Sequence, residues 1–141
     1  MVVLDTDHVT FLERATSPEG VRLRARLKPL AESDKTTSIV CFEEQTRGWL
    51  AVIAKARTQL QFIESYRRLK QHLLNYCGIR VLDFDEHSAA EFQSLHKMRL
   101  GIGTLDLRIA ATALAHHATL LSRNLRDFRK VPGLQVEDWT I

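Results

Sequence analysis

Four carboxylates stand just beyond hydrophobic, strand-like runs that are far apart in the chain. Asp5 ends Val2-Val3-Leu4, and Glu44 follows Ser38-Ile39-Val40. Asp106 opens the helical pattern Leu107-Arg108-Ile109-Ala110-Ala111, and Asp127 follows Ala118-Thr119-Leu120-Leu121 by one short loop. Strands that alternate with helices imply a parallel sheet covered on both faces. In such a sheet the C-terminal ends of the strands and the starts of the helices share one edge, where ligands bind. Four acids on that edge can gather into one pocket. Their repulsion is tolerable only where a cation or a polyvalent ligand neutralises it. An all-oxygen pocket of this kind suits Mg²⁺ or Mn²⁺ and a phosphate substrate.

The expected fold is α/β: a three-layer α/β/α sandwich with a mainly parallel central sheet of four or five strands, in one domain over residues 1–141. Strands are expected over residues 2–4, 36–40, 79–82 and 118–121, with a small last one at 134–136. Helices are expected over 7–12, around Val21, Leu23, Leu27 and Leu30, and over 42–50. A long helix over 55–76 would carry Leu60, Ile63, Leu69 and Leu73 on its apolar face and end at Gly78. Asp85, with Ser88 three residues on, would cap a helix running towards Leu100, and an alanine-rich helix would cover 105–116. Residues 16–20, 101–104 and 124–128 read as loops or turns.

Hydrophobic residues make up 45% and charged residues 26%, enough apolar material for a core. No apolar run approaches the ~18 residues a membrane span needs. The chain enters Val2-Val3-Leu4-Asp5 without a basic leader, so the expectation is a cytoplasmic protein with no signal peptide. Cys41 and Cys77 are isolated and read as reduced thiols. His8, His72, His87 and His96 have no ligand-spaced partners, and adjacent His116 and His117 point apart on a helix, so the histidines read as structural. Gly101-x-Gly103 lacks the frame of a dinucleotide loop, and no Gly-rich Lys-Ser/Thr loop occurs. Trp49 and Trp139 read as packing residues. The net charge is +3, and residues 55–80 carry Lys55, Arg57, Arg67, Arg68, Lys70 and Arg80 against the single acid Glu64. That stretch is either a solvated helix face or a rim that holds a polyanion.

Each acid alone has an ordinary explanation, as a helix cap, a dipole partner or a turn residue. The context adds weight. Asp7 puts a second acid two residues after Asp5, the alanines after Asp106 allow close packing under the sheet edge, and Ser122 and Asn124 stand near Asp127.

These segments resemble a PIN-domain ribonuclease of the VapC type, the toxin of type II toxin–antitoxin modules, along nearly the whole chain. Leu4-Asp5-Thr6-Asp7-His8 is similar to the family's opening Asp-Thr-Asn/Asp. Ser38 to Gly48, with Glu44 four before Gly48, resembles its Ser-x-x-x-x-x-Glu-x-x-x-Gly segment. Ile102 to Ala111 resembles its third acidic motif, and Ala118 to Phe128 with Val131-Pro132-Gly133-Leu134 its C-terminal segment. The resemblance places the family's acids at Asp5, Glu44, Asp106 and Asp127, with Asp7, Ser122 and Asn124 in support. Leu105 stands where Asn or Met is common, Cys41 where Thr is, and Gln45 where Leu is. Glu43 neighbours Glu44, and the spacing to Gly48 favours Glu44.

The resemblance implies a Mg²⁺- or Mn²⁺-dependent endoribonuclease that hydrolyses phosphodiester bonds with a metal-activated water. Asp5, Asp106 and Asp127 would be the metal ligands, with Glu44 completing the catalytic set. Lys55, Arg67, Arg68, Arg108 and Arg123 would contact RNA phosphates. The partners implied are a cognate antitoxin, an RNA substrate and a second copy in a homodimer. Alternatives from the same residues are a catalytically silent PIN-like RNA- or partner-binding module, a DNA-directed nuclease, or a phosphatase using Asp5-Thr6-Asp7 with Asp5 as nucleophile.

Overall fold

Val2, Val3 and Leu4, two of them β-branched and all buried, form the middle strand β1 (Val2–Leu4) of a five-stranded parallel sheet. The computed structural model describes residues 1–14 and 16–141. The other strands are β2 (Lys35–Ser38), β3 (Arg80–Leu82), β4 (Thr119–Leu121) and β5 (Val136–Glu137). Their order is β3-β2-β1-β4-β5, and Leu4 lies level with Thr37 on one side and Leu121 on the other. Strand β2 is polar, yet Thr36, Thr37 and Ser38 have no exposed surface. The Thr36 hydroxyl donates to Val2 O at 2.7 Å and the Thr37 hydroxyl to Leu4 O at 2.8 Å, so neither buried group is left unpaired.

The helices are α1 (Thr6–Glu13), α2 (Pro18–Leu27), α3 (Ile39–Lys55), α4 (Gln59–Cys77), α5 (Glu86–Lys97), α6 (Thr104–Ala115) and the single turn α7 (Leu125–Phe128). Several bounds differ from the sequence expectation, each for a local reason. Ser38 accepts the Val40 and Cys41 amides at 3.1 and 3.2 Å, which turns Ile39 and Val40 into the first turn of α3 instead of strand. Ser17 caps α2 with Pro18 at its start, so the loop expected over 16–20 is shorter. A Cβ on Gly20 would collide with Phe11 O and Arg14 O, so α2 can press against the end of α1 only with glycine there. Thr58 and Gln61 form a capping box, which starts α4 there and leaves Lys55 at the end of α3. Burial of Phe128 draws the expected loop after Asn124 into α7, and β5 falls at 136–137.

Alternate residues of each strand feed opposite layers. Val3 and Leu120 join Val40, Leu107, Ile109, Ala110 and Phe128 in one core. Val2, Leu4 and Leu121 join Val9, Leu23, Leu27 and Tyr76 in the other. The small residues of α6 let it sit close against the sheet: Ala110, Ala111 and Ala113 have no exposed surface.

Helix α4 departs most from expectation. Leu60, Ile63 and Leu73 are exposed, and the face that packs inward carries Ser65, His72 and Tyr76. Specific bonds choose that face. His72 stacks on Phe42 at 5.0 Å, His72 Nε2 meets the Thr46 hydroxyl at 2.8 Å, and Tyr76 donates to Gln45 Oε1 at 2.6 Å. Among the described residues no helix is long and apolar enough to cross a membrane.

Candidate active site

Chain connections leave β1 towards β2 on one side and enter β4 on the other, so the sheet order reverses beside β1. A crevice opens beyond the strand C-termini at such a reversal. Asp5 is the first residue past β1 and Ser122 the first past β4, which places both at the mouth of that crevice. Asp5 is 6% exposed. Its Oδ1 accepts the Thr6 amide at 2.8 Å and its Oδ2 the Ser122 hydroxyl at 2.7 Å. Burial, then the charges of Asp7 and Asp106, outweigh those two hydrogen bonds and push the Asp5 carboxyl up to about 7.

The other acids arrive on helix starts. Asp106 lies in the first turn of α6, raised by burial and then by Asp127 and Asp7. Glu44 lies early in α3, raised by burial and then by Asp106 and Asp7. Its neighbour Glu43 turns outward to Arg47, so Glu44 is the member of the pair whose charge joins the cluster. Asp127 sits at the rim on α7. Asn124 Nδ2 donates to its Oδ2 at 3.2 Å and Lys130 approaches its Oδ1 at 3.4 Å, which hold its carboxyl below the usual range. Ser122 Oγ also accepts the Asn124 amide at 3.0 Å, so one hydroxyl ties Asp5 to the loop that carries Asp127.

Charge coupling thus links Asp5, Asp7, Glu44, Asp106 and Asp127. Among the described residues, acids and not cations are the charges that act on Asp5, Glu44 and Asp106. Such a set of oxygen donors fits a hard divalent cation. The fit is of a particular kind. Among the described residues, no three acids close into a finished ligand cage. Charge coupling, and not a closed set of ligands, is what relates these acids. Asp127 is engaged by Asn124 and Lys130 much as Asp5 is by the Thr6 amide and Ser122.

Asp7 carries more of the cluster than its supporting place in the sequence motif implied. It is the largest charge acting on Asp5, and both its oxygens are held. Oδ1 meets His8 Nδ1 at 2.6 Å, and Oδ2 accepts the Arg123 amide at 2.9 Å. An acid so engaged is poorly placed for the proton transfers an Asp-x-Asp phosphatase needs. Burial and Asp5 push the Cys41 thiol up to about 12, so it offers no thiolate nucleophile at neutral pH.

The cations divide. Arg108 follows Asp106 by two residues and lies over Phe92 at 5.2 Å. Arg123 follows Ser122 and lies over Phe11 at 5.3 Å. Arg123 is tied to the acids by its amide, which donates to Asp7, whereas Arg108, two residues on from Asp106, leaves a different face of α6. Arg67 and Arg68 both bond Glu64 on the exposed side of α4, and Lys55 ends the 17-residue α3 about 25 Å of helix away from Ser38. The structure therefore does not gather the basic stretch at 55–80 around the pocket. The sequence reading missed the seat of His8, a fully buried ring between Asp7 and the C-terminal segment. Its place directly after Asp7 was the only sequence signal available.

The family model described as "PIN domain" matches residues 2–134. Among curated proteins, the chain is 50% identical over 42 residues to Ribonuclease VapC1 of Rickettsia felis, covering 30% of this chain and 31% of that one. It is 31% identical over 65 residues to the tRNA(fMet)-specific endonuclease VapC of Salmonella typhimurium, covering 43% and 49%. These matches therefore span a third to a half of the relatives' lengths. Among solved structures, VapBC-1 of nontypeable Haemophilus influenzae superposes with a TM-score of 0.74 at 25% identity, covering 100% of both chains.

Proposed function

The chain belongs to the PIN domain family, and from its site we propose that it is a divalent-metal-dependent endoribonuclease, working in the cytoplasm as the toxin of a toxin–antitoxin pair. The observation that carries this reading is the group of Asp5, Glu44 and Asp106 at the reversal of the sheet, each raised first by burial and then by neighbouring acids, with Asp7 acting on all three. The names of the relatives, ribonucleases and a tRNA-specific endonuclease, support RNA as the substrate.

Asp5 and Asp106 would be the principal holders of one Mg²⁺ or Mn²⁺ ion, with Asp127 reaching it directly or through water. When bound, that ion supplies Lewis acidity, which makes water a better nucleophile near neutral pH and neutralises charge on the phosphate. The chain's own residues set the geometry. Ser122 and the Thr6 amide fix both oxygens of Asp5 at the mouth of the crevice. Glu44, half-buried and raised, can take the proton of the attacking water on its carboxylate. Asn124 holds Asp127 in place. Arg108 and Arg123 would grip RNA phosphates on either side, contacts that position the strand without reading its bases.

The restraining partner would be an antitoxin whose tail places an arginine among the acids in place of the ion's charge. Apolar residues left exposed, Val21 on α2 and Leu50 and Val52 on α3, offer surface for partners, including a second copy of the chain. The test is incubation of the purified protein with structured RNA and Mn²⁺. Products with 5′-phosphate and 3′-hydroxyl ends, lost in EDTA, are expected. Undiminished cutting in EDTA would reject the reading, and 2′,3′-cyclic phosphate ends would assign another class of nuclease. Expression in cells should arrest growth, and co-expression of the neighbouring gene should relieve the arrest.

A further inference from the structure

His8 is fully buried in the first turn of α1, three residues after Asp5. Its ring joins two parts of the molecule. Nδ1 stands 2.6 Å from Asp7 Oδ1, and Nε2 accepts the backbone amide of Trp139 at 3.1 Å. A ring nitrogen that accepts carries no proton, so the neutral ring bears its proton on Nδ1 and donates it to Asp7. Asp7 in turn accepts the Arg123 amide and so fastens α1 to the loop after β4, the loop that carries Ser122 and Asn124.

The segment that supplies the Trp139 amide lies beyond β5 and is itself tied down. Asp138 Oδ1 accepts the amide of Thr140 at 2.8 Å and its hydroxyl at 2.6 Å. Thr140 has no exposed surface, and Arg22 Nε donates to its carbonyl at 2.6 Å. The Arg26 guanidinium lies 4.6 Å over the Trp139 ring. None of these bonds extends the sheet. Together they hold one backbone amide against one imidazole nitrogen.

Resting on the nuclease reading above, we propose that His8 is a positioning residue for the acidic pocket, and that residues 138–140 fix the tautomer with which it does so. The reverse tautomer would face the Asp7 carboxylate with a lone pair and the Trp139 amide with another donor, and would turn its proton to the Asp138 carboxylate, 3.6 Å from Nε2. Both bonds would break, and the clamp between α1 and the Ser122 loop would loosen. His8 acts on the pocket through the supporting acid Asp7, and outer partners of a metal site commonly change metal affinity or activity by about 10- to 100-fold.

Two substitutions separate the two ring nitrogens. The amide of His8→Asn reaches about as far as Nδ1 and can still donate to Asp7. That of His8→Gln reaches about as far as Nε2, and can accept from Trp139 while giving Asp7 no donor. His8→Gln is expected to lower kcat about 10- to 100-fold with KM within about threefold, and to weaken Mn²⁺ binding measured without RNA by a similar factor. It should also speed hydrogen exchange at the Arg123 amide. His8→Asn should recover most of each loss. Trp139→Pro removes the amide donor without touching the ring. It should shift Arg123 exchange in the same direction, and serves as the test if His8→Gln does not fold. Equal losses in both His8 variants, or Arg123 exchange that none of the variants moves, would make His8 a core-filling side chain and overturn the proposal. The exchange and Mn²⁺ measurements need no RNA. A wild-type protein that binds Mn²⁺ but cuts no RNA would therefore sink the nuclease reading alone.

Discussion

The acidic pocket and the α3–α4 hairpin are both incomplete, in opposite ways. In the pocket the chain buries charge without a counter-charge: Asp5 is 6% exposed, and its carboxyl is pushed up to about 7 by burial and neighbouring acids. On the hairpin the acids Glu43 and Glu64 are paired in water, Glu43 with Arg47 and Glu64 with both Arg67 and Arg68, while apolar side chains stand exposed beside them. Leu60 is 75% exposed and Ile63 55%. The proposed ion would offset the first defect, and an apolar surface on a partner would cover the second.

The largest expected effect comes from neutralising the pocket. Asp5→Asn and Asp106→Asn should each reduce Mn²⁺-dependent RNA cleavage by about 10³-fold or more, since each removes a carboxylate that would hold the ion. Asp106→Asn should also leave the melting temperature of the metal-free protein unchanged or higher, because one like charge is gone, while shrinking the rise that Mn²⁺ produces. A large loss of metal-free stability with an intact Mn²⁺ response would instead make Asp106 a helix-capping acid, and the pocket would no longer differ in kind from the hairpin.

A second effect is read by pH. Asp5 has a folded-state pKa above its ordinary value, so its ionised form costs folding free energy. Stability from this group is fully present below pH 3.8 and is lost as pH rises through about 7. A shift of that size is worth about 4 kcal/mol at most. Glu44 and Asp106 are raised as well and act in the same direction. Metal-free protein should therefore melt at a lower temperature at pH 8 than at pH 5. Asp5→Asn should flatten that slope, and Mn²⁺ should reverse it at pH 8. A metal-free melting temperature that climbs steadily from pH 5 to pH 8 would mean that the pocket acids do not repel.

The pocket was legible in the sequence and the hairpin was not, for a physical reason. Strands β1 and β4 are short and mainly apolar, so the residue after each reaches the sheet edge: Asp5 after Leu4 and Ser122 after Leu121. The parallel order then brought them together. On α4 the helical spacing of Leu60, Ile63 and Leu73 pointed to a buried stripe. The side chains that actually choose the inward face are His72 and Tyr76, through bonds to Thr46 and Gln45 on α3. A hydrophobicity pattern does not register those bonds. The start of α3 eluded the pattern too, because the Ser38 hydroxyl overrides the strand preference of Ile39 and Val40. The seat of His8 depends on residues 131 positions away, beyond any local rule.

The smallest effect tests the hairpin itself. Leu60→Asp with Ile63→Asp adds two charges where the side chains are already in water, so the unfolding free energy of the isolated chain should move by no more than about 0.5 kcal/mol per site. The same pair of changes should weaken association strongly if this face seats the second copy, because a carboxylate in an apolar contact must be desolvated without a partner. Light scattering across a dilution series would then show the dimer dissociating at a concentration about tenfold higher or more, a difference of about 1.4 kcal/mol. Pocket variants such as Asp106→Asn should leave that dilution series unmoved. If the hairpin variant lowers the melting temperature as much as a core truncation does, Leu60 and Ile63 support the fold rather than a partner. If association is untouched in a protein that does dimerise, the apolar surface serves something other than a second copy, and the second copy sits elsewhere.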